Sequence, residues 1–226
     1  MKLVIFDCDG TLVDSQHMIV AAMNSAFSAE GLVHPPREKV LSIVGLSLSN
    51  AITHLVPVRD EEMIARLADS YKGAFADLRR SPEHREPMFP GAREALETLA
   101  ARPDTRLGIA TGKSRRGVDR LLAREGWNKH FTTIQTADDH PSKPHPSMLT
   151  RAMQETGALP HQTIMIGDTT YDIEMARAAN VGALGVTWGY HLPQELEDAG
   201  AHLLIHDYES MPPALTHIYA KLNGTP

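Results

Sequence analysis

Two carboxylates stand two positions apart directly after an apolar run near the N-terminus. The run Leu3–Phe6 is followed by Asp7 and Asp9, and then by Gly10 and Thr11. Such a loop can supply a nucleophile, a general acid/base and backbone N–H donors within one turn of chain. Asp and Gly are also common turn residues. The apolar run before this loop and the Thr-Leu pair within it favour a catalytic loop over a simple turn.

Two further segments offer groups that bind phosphate. Thr111 and Gly112 follow an apolar run and precede a helical pattern, so a hydroxyl, a backbone N–H and a helix N-terminus coincide. Lys143 precedes a proline and another helical pattern, and its charge could neutralise a phosphate. Taken alone, the first segment fits a plain helix cap equally well, and the lysine fits a solvated surface position better.

A second pair of carboxylates, Asp168 and Asp172, follows the apolar run Thr163–Ile166. Hard oxygen ligands on a loop, with open positions for water and phosphate, are typical of a magnesium site. Either aspartate could instead cap the helix that begins here. Each of these segments is a weak signal by itself, but together they place four acidic groups, a lysine and two hydroxyls on loops of one predicted sheet.

The elements that must position these groups alternate between strand and helix. Six short apolar runs predict strands, and between them lie capped helical patterns, for example one that begins after Ser114 and ends at Gly126. This alternation predicts an α/β fold with a doubly wound, Rossmann-like parallel sheet. The predicted strands are Leu3–Phe6, Arg106–Ala110, Thr132–Gln135, Thr163–Ile166, Ala183–Thr187 and Leu203–Ile205.

One long segment interrupts this alternation. From residue 15 to residue 85 only amphipathic helical patterns occur, with apolar stripes at 18–27 and 63–71. We therefore predict a core of residues 1–14 and 86–226 and an inserted all-helical domain of residues 15–85, which we call the cap. The stripes are most simply packing surfaces, although part of them could form a dimer face.

Composition narrows the class of protein. The 226 residues carry a formal charge of −6, which argues against nucleic acid or an anionic membrane as a partner. The single cysteine excludes an intrachain disulfide and suits a reducing compartment. We find no apolar run long enough for a membrane span and no signal-peptide pattern. The sequence therefore predicts a cytoplasmic protein, either a monomer or a homodimer.

The four segments, in this order, resemble the motifs of the haloacid dehalogenase superfamily. The match runs from Asp7-Cys8-Asp9-Gly10-Thr11 through Thr111 and Lys143 to Gly167-Asp168 with Asp172. The helical segment after the first motif resembles the cap of phosphoglycolate-phosphatase-like members. The resemblance covers the whole chain, and its first motif is very specific.

The resemblance implies a role for each site residue. Asp7 would attack phosphorus and form an aspartyl-phosphate, while Asp9 would protonate the leaving oxygen and later deprotonate water. Mg²⁺ would be held by the Asp7 carboxylate, the Asp9 backbone carbonyl and Asp168. The phosphoryl group would be bound by Thr111, Gly112 and Lys143, with the loop of Gly10 and Thr11, and Asp172 would orient metal waters or Lys143.

Sequence differences among members of the superfamily restrict the reactions that the resemblance implies. Dehalogenases lack the second aspartate of the first motif, and Asp9 is present here, so dehalogenation is disfavoured. The segment Val44–Leu48, which resembles a substrate-facing cap loop, offers Gly45 and the Ser47 hydroxyl but no cation. We therefore expect a magnesium-dependent phosphatase for a small phosphorylated metabolite, with phosphoglycolate the leading guess. A sugar phosphomutase and a non-catalytic phospho-ligand-binding module remain alternatives.

Other reactive residue types are assigned to packing or surface. Twelve histidines occur without metal-ligand spacing, so zinc is not expected. Cys8 lies between two carboxylates, where negative potential should raise its pKa, and it is expected to be a small core residue. The segment Trp188–His191 is expected to be a packing loop, with the rim of the site as the less favoured interpretation.

Overall fold

The fold was obtained as a computed structural model that describes residues 1–57, 60–80 and 86–224. The predicted end of the cap, at residue 85, lies outside the described residues. The sheet has six parallel strands in the order β3-β2-β1-β4-β5-β6. These strands are β1 Lys2–Phe6, β2 Thr105–Thr111, β3 Phe131–Thr136, β4 Thr163–Gly167, β5 Gly182–Val186 and β6 Leu203–Ile205. The predicted α/β fold with a parallel sheet is therefore confirmed.

The strand order sets where a ligand can bind. After β1 the chain builds one half of the sheet through β2 and β3, and β4 then returns to the other side of β1. The order reverses between β1 and β4, and the crevice at the carboxyl ends of such strands is the usual ligand site in open α/β sheets. Asp7 follows β1 and Asp168 follows β4, so both lie at this reversal.

Helices cover both faces of the sheet. Alternate residues of β1 face opposite sides: Val4 and Phe6 pack in one apolar cluster, and Leu3 and Ile5 pack in the other. The helices of the core are α5 Ala92–Ala100, α6 Arg115–Glu125, α7 Ser147–Thr156, α8 Thr170–Ala178, α9 Pro193–Asp198 and α10 Met211–Leu222, with a 3₁₀ turn at Pro160–Gln162. Helices α5, α6 and α10 contribute to the first cluster, and α7, α8 and α9 to the second.

The described part of the cap contains only helices. They are α1 Gln16–Ala29, α2 Arg37–Leu41, α3 Leu48–Leu55 and α4 Glu61–Leu78, and they surround a third apolar cluster. The two chain segments that join cap and core lie side by side, because the Asp14 N–H donates to the Pro87 carbonyl (2.8 Å) and Phe89 N–H to Leu12 (3.0 Å). The division at residues 14 and 86 stays a prediction, which this separate cluster and paired crossing support.

No helix among the described residues is long and apolar enough to cross a membrane.

Candidate active site

Asp7 lies at the floor of the site, immediately beyond β1. Its side chain is almost fully buried, and its backbone N–H donates to the Ile166 carbonyl (3.0 Å), which fixes the loop against β4. Neither carboxylate oxygen accepts a hydrogen bond from a described residue, although Lys143 Nζ is 3.0 Å from Oδ1. A buried carboxylate without hydrogen-bond partners is costly in a folded protein, so its retention indicates a functional partner.

Three buried carboxylates meet where β1 and β4 end. Oxygen atoms of Asp7, Asp168 and Asp172 all lie within 4.8 Å of one another. Asp168 accepts the Thr11 hydroxyl (2.8 Å) on Oδ1 and the Tyr190 N–H (2.9 Å) on Oδ2. Burial, with the charges of Asp172 and Asp7, raises the pKa of Asp168 well above its ordinary value. This concentration of buried negative charge favours a bound cation.

The geometry of this cluster fits a divalent metal ion. The Asp7 oxygens, of which Oδ1 also pairs with Lys143, offer hard ligands, and each Asp168 oxygen has a lone pair beyond its single hydrogen bond. Both Asp172 oxygens are engaged, one by Lys143 and the other by Thr169. Asp7 and Asp168 are therefore the better ligands, and Asp172 is placed to orient its neighbours.

Lys143 is a fully buried cation held between two of these carboxylates. Its Nζ donates to Asp172 Oδ1 (2.6 Å) and is 3.0 Å from Asp7 Oδ1. Although burial disfavours the charged form, the Asp172 and Asp7 carboxylates raise the pKa of Lys143 above its ordinary value. Lys143 therefore remains charged beside Asp7, as binding of a phosphoryl group requires. Asp172 is the third residue of α8 and accepts the backbone N–H and the hydroxyl of Thr169, which is the N-cap residue, so neither aspartate is the N-cap and the functional role of Asp172 stays a prediction.

Asp9 occupies a different part of the site from the other carboxylates. Its Oδ1 accepts the Ser15 hydroxyl (2.7 Å) and Lys113 Nζ (2.8 Å). Lys113 also donates to Glu86 (2.9 Å), and these two carboxylates raise its pKa although burial disfavours the charge. Sequence reasoning gave Lys113 no role, and it missed Ser15 and Glu86. Lys113 lies 104 positions from Asp9 in the chain, and no local pattern indicates their contact.

The loop that carries the first motif is held by its own hydrogen bonds. The Gly10 N–H donates to the Val13 carbonyl (2.9 Å), and the Thr11 hydroxyl is donated to Asp168. Gly10 adopts a φ of +89°, which favours glycine, and a side chain there would collide with Asp168. Their predicted part in substrate binding stays a prediction, and their observed contacts shape the loop.

Thr111 and Gly112 lie at the end of β2, where the cap meets the core. Thr111 is buried, and its hydroxyl oxygen accepts the Lys113 N–H (3.2 Å), which leaves its proton for another acceptor. A Cβ atom at Gly112 would lie only 2.6 Å from the carbonyl oxygens of Gly45 and Leu46. The segment Val44–Leu48, which we call the cap loop, therefore packs directly against the predicted phosphate-binding residues.

Further contacts hold the cap loop to the core. The Ser47 N–H donates to the Ser142 hydroxyl (2.8 Å), next to Lys143, and Tyr171 donates its hydroxyl to the Ser42 carbonyl (3.1 Å). Gly45 has a φ of +100° and approaches Thr169. The structure thus brings the predicted residues Gly45 and Ser47 to the site.

A cavity of about 510 Å³ lies between cap and core, with Asp7 and Asp9 in its wall. This volume suits a small ligand. Apolar side chains of the cap contribute much of the wall, and its cations are Lys72 and Arg79 from the cap and Lys113, Arg116 and Arg120 from the core. The wall also includes the predicted residues Gly45, Ser47, Thr111 and Gly112, together with Lys113.

The segment Trp188–His191 contacts the site more closely than its expected packing role implied. Trp188 Nε1 donates to the Thr11 carbonyl (3.1 Å), and the Tyr190 N–H donates to Asp168. The Tyr190 hydroxyl lies 3.2 Å from the Ser15 hydroxyl, which holds Asp9. The segment follows β5, and its position at the carboxyl edge of the sheet was the only sequence signal for this role.

Comparison with known proteins agrees with this geometry. Residues 4–186 match the family described as haloacid dehalogenase-like hydrolase. A relative from Dickeya dadantii named "Probable phosphatase IndB" is 35% identical over 99% of this chain and 97% of its own. The pyrophosphatase PpaX of Oceanobacillus iheyensis is 30% identical (93% and 95% covered), and a phosphoglycolate phosphatase of Agrobacterium fabrum is 30% identical (94% and 91%).

Among solved structures, a hydrolase from Pseudomonas syringae superposes with a TM-score of 0.84 at 28% identity, covering 96% of this chain and 99% of the other. The chain therefore belongs to the haloacid dehalogenase-like hydrolases and groups with the phosphatases among them. Membership of this family implies a small phosphorylated substrate and a divalent metal ion.

Proposed function

We propose that this protein is a magnesium-dependent phosphatase that hydrolyses a small organic phosphate monoester, with phosphoglycolate as the leading candidate, through an aspartyl-phosphate on Asp7. The observation that carries the proposal is the pair of buried Asp7 oxygens that accept no hydrogen bond from a described residue. One of them lies 3.0 Å from a buried lysine, and the residue lines the cavity between cap and core.

In the first step, an Asp7 oxygen attacks phosphorus in line while the bond from phosphorus to the ester oxygen breaks. Lys143 and the Thr111 hydroxyl bind the transferring oxygens, and the Asp7 carboxylate, the Asp9 backbone carbonyl and Asp168 would hold the metal. Bound magnesium would screen the charge of the nucleophile from that of the substrate and polarise the phosphoryl group. Closed packing of the cap loop against Gly112 excludes bulk water from this step.

Asp9 acts as the general acid and then as the general base. It donates a proton to the departing ester oxygen and then takes one from the water that attacks the aspartyl-phosphate, which releases inorganic phosphate and restores Asp7. Ser15 and Lys113 both donate to its Oδ1 (2.7 and 2.8 Å), so its other oxygen is left for the leaving group. The side chain is thereby fixed in orientation before substrate arrives.

The test is release of phosphate from a panel of monophosphates and pyrophosphate, with Mg²⁺ and with EDTA. We expect turnover that requires the metal, and Asp7→Asn should abolish it, whereas Asp119→Asn on the exposed face of α6 should not. An acid-quenched, hydroxylamine-sensitive phosphoenzyme should form in the wild type only. Substantial turnover by Asp7→Asn would refute the nucleophile assignment.

Two other outcomes distinguish the alternatives. Isomerisation that depends on a bisphosphate primer would favour a phosphomutase, and binding without turnover on any substrate would favour a ligand-binding module. Asp9→Asn should slow poor leaving groups more than an activated aryl phosphate, because only the poor ones need a proton. Equal slowing of phosphoenzyme formation for both would contradict the role of Asp9 as the acid.

A further inference from the structure

The wall of the cavity carries positive charge from both sides of the cleft. Arg79 lies at the C-terminal end of α4 in the cap, and Arg116 and Arg120 lie one turn apart on α6 in the core. All three line the same cavity as Asp7 and Asp9. This local concentration of positive charge is opposite in sign to the net charge of the chain, which is −6.

The carboxylates that line the cavity already have other interaction partners. Asp9 accepts Lys113 and Ser15, and Asp138 accepts the backbone N–H of Arg115 (2.8 Å). Asp7 faces Lys143 at the floor of the site. The negative groups of the wall are therefore bound to partners other than the three guanidinium groups.

Few acidic groups of the protein lie close enough to neutralise the charge of the three guanidinium groups. Arg79 lies 3.7 Å from Glu86, which already accepts Lys113, and neither Arg116 nor Arg120 forms an ion pair with a described residue. Partial desolvation, together with the charges of Arg116 and Arg79, lowers the pKa of Arg120, as expected for guanidinium groups that lie near one another. Like charges in one wall repel, and an anion between them relieves that repulsion.

A phosphoryl group at Asp7 does not account for these arginines. Its charge is met by Lys143 and by the proposed metal site, which lie beside Asp7. The arginines line the wall that α4 and α6 form, and guanidinium groups bind carboxylate or phosphate through two parallel hydrogen bonds. A substrate whose phosphoryl group is at Asp7 can extend its leaving group toward this wall, because Asp7 and the three arginines line one cavity.

We propose that Arg79, Arg116 and Arg120 form a subsite for a second anionic group of the substrate. The substrate is then a phosphate ester whose leaving group itself carries a carboxylate or a phosphate. This inference rests on the proposed function and deepens it, since it names the residues that select the substrate class. The cations come from α4 and α6, not from the cap loop.

The kinetic test compares phosphoglycolate with its neutral methyl ester. The alcohol of the methyl ester is the more acidic leaving group, so a preference for the free acid reports recognition and not reactivity. We expect wild-type kcat/KM to favour the acid by about tenfold or more, the scale of one charged hydrogen bond. Arg116→Ala with Arg120→Ala should reduce this preference to about twofold, and raised salt should weaken it in the wild type.

Arg115→Ala is the matched control, because Arg115 lies on the same helix and pairs with Asp119 outside the cavity. It should retain the wild-type preference. The substituted arginines are exposed, so the variants should fold as the wild type does. Equal kcat/KM for acid and ester in the wild type, or a preference that survives the double substitution, would overturn the subsite.

Binding without turnover separates this inference from the proposed function. In the presence of Mg²⁺, 3-phosphonopropionate should bind at least about tenfold more tightly than propylphosphonate, and the double substitution should remove the difference. If no ester is hydrolysed but this difference appears, the proposed function fails and the subsite stands. If esters are hydrolysed and the two phosphonates bind alike, the subsite is wrong. Comparison of the turnover of pyrophosphate with that of phosphoglycolate then shows whether the subsite prefers a phosphate or a carboxylate on the leaving group.

Discussion

Substitution of Gly112 by alanine tests whether the closed cap is needed for catalysis. The Cβ atom would lie 2.6 Å from two backbone oxygens of the cap loop, whereas ordinary contact begins at 3.4 Å, so the loop must retreat by about 0.8 Å. If that displacement lengthens the bond from Ser47 N–H to Ser142, its 2.8 Å becomes about 3.6 Å, which is no longer a hydrogen bond. Backbone oxygens cannot rotate away as a flexible side chain would.

We expect Gly112→Ala to lower kcat/KM on the order of 10²-fold, because a displacement of about 1 Å in a positioned site has that effect. The free energy of unfolding should change little. The φ of Gly112 lies outside the left-handed region, so alanine adds no backbone strain there, and retreat of the cap loop relieves the steric clash of the Cβ atom. Steady-state kinetics on the best substrate measures the loss, and amide hydrogen exchange at Ser47 should become faster.

Gly73→Ala is the control for this experiment. Gly73 lies within α4, and the space that a Cβ atom would take there is open, so alanine should stabilise the helix by about 0.5–1 kcal/mol and leave kcat/KM unchanged. Wild-type kcat/KM in Gly112→Ala would refute the argument that the cap must close against this residue. Loss of activity accompanied by global unfolding would refute the claim that only closure is affected.

Three further predictions concern single side chains. Lys113→Met should reduce kcat by about tenfold or more while the KM changes less, because it frees Asp9 from one of its two hydrogen bonds, and Lys113→Arg should restore part of the loss. Cys8 should resist alkylation in the folded protein and react on unfolding, since burial and the charges of Asp7 and Asp9 raise its pKa; rapid modification of native protein would contradict this. Burial also lowers the pKa of His202, whose Nδ1 accepts the Ala183 N–H (3.0 Å). Because the unfolded state then binds the proton more tightly, the free energy of unfolding should fall as pH drops below about 6.5, and His202→Asn should reduce this dependence in thermal melts.

The elements of the core could be predicted because their signals are local. Apolar runs without alternation mark strands buried on both faces, and the helix Arg115–Glu125 begins and ends as predicted, followed by a glycine in the left-handed conformation. The strand Leu203–Ile205 has its predicted bounds, and each bound of the other strands lies within one residue of its prediction. Strand ends depend on hydrogen bonds to neighbouring strands, which a single segment does not contain.

The residues of the candidate site were likewise predictable only where their signals are local. Asp7, Asp168 and Asp172 were found from sequence because each follows a strand, and the carboxyl ends of parallel strands meet at one edge of the sheet. Lys113 and Glu86 were missed in their roles. Lys113 follows β2 and Asp9 follows β1, so their side chains meet only once these two strands pair, and charged residues in loops are commonly solvated.

By itself the sequence determined the fold class, the edge of the sheet that bears the chemistry and the carboxylates on that edge. These follow from backbone periodicity and strand polarity, which act over a few residues. Only the tertiary structure decided that Gly112 lies against the cap loop, that Lys113 holds Asp9, and that arginines from α4 and α6 share one cavity. The first and third of these depend on how the cap and the core meet, and the second depends on the pairing of β1 with β2, so all three are set by interactions between residues far apart in the chain.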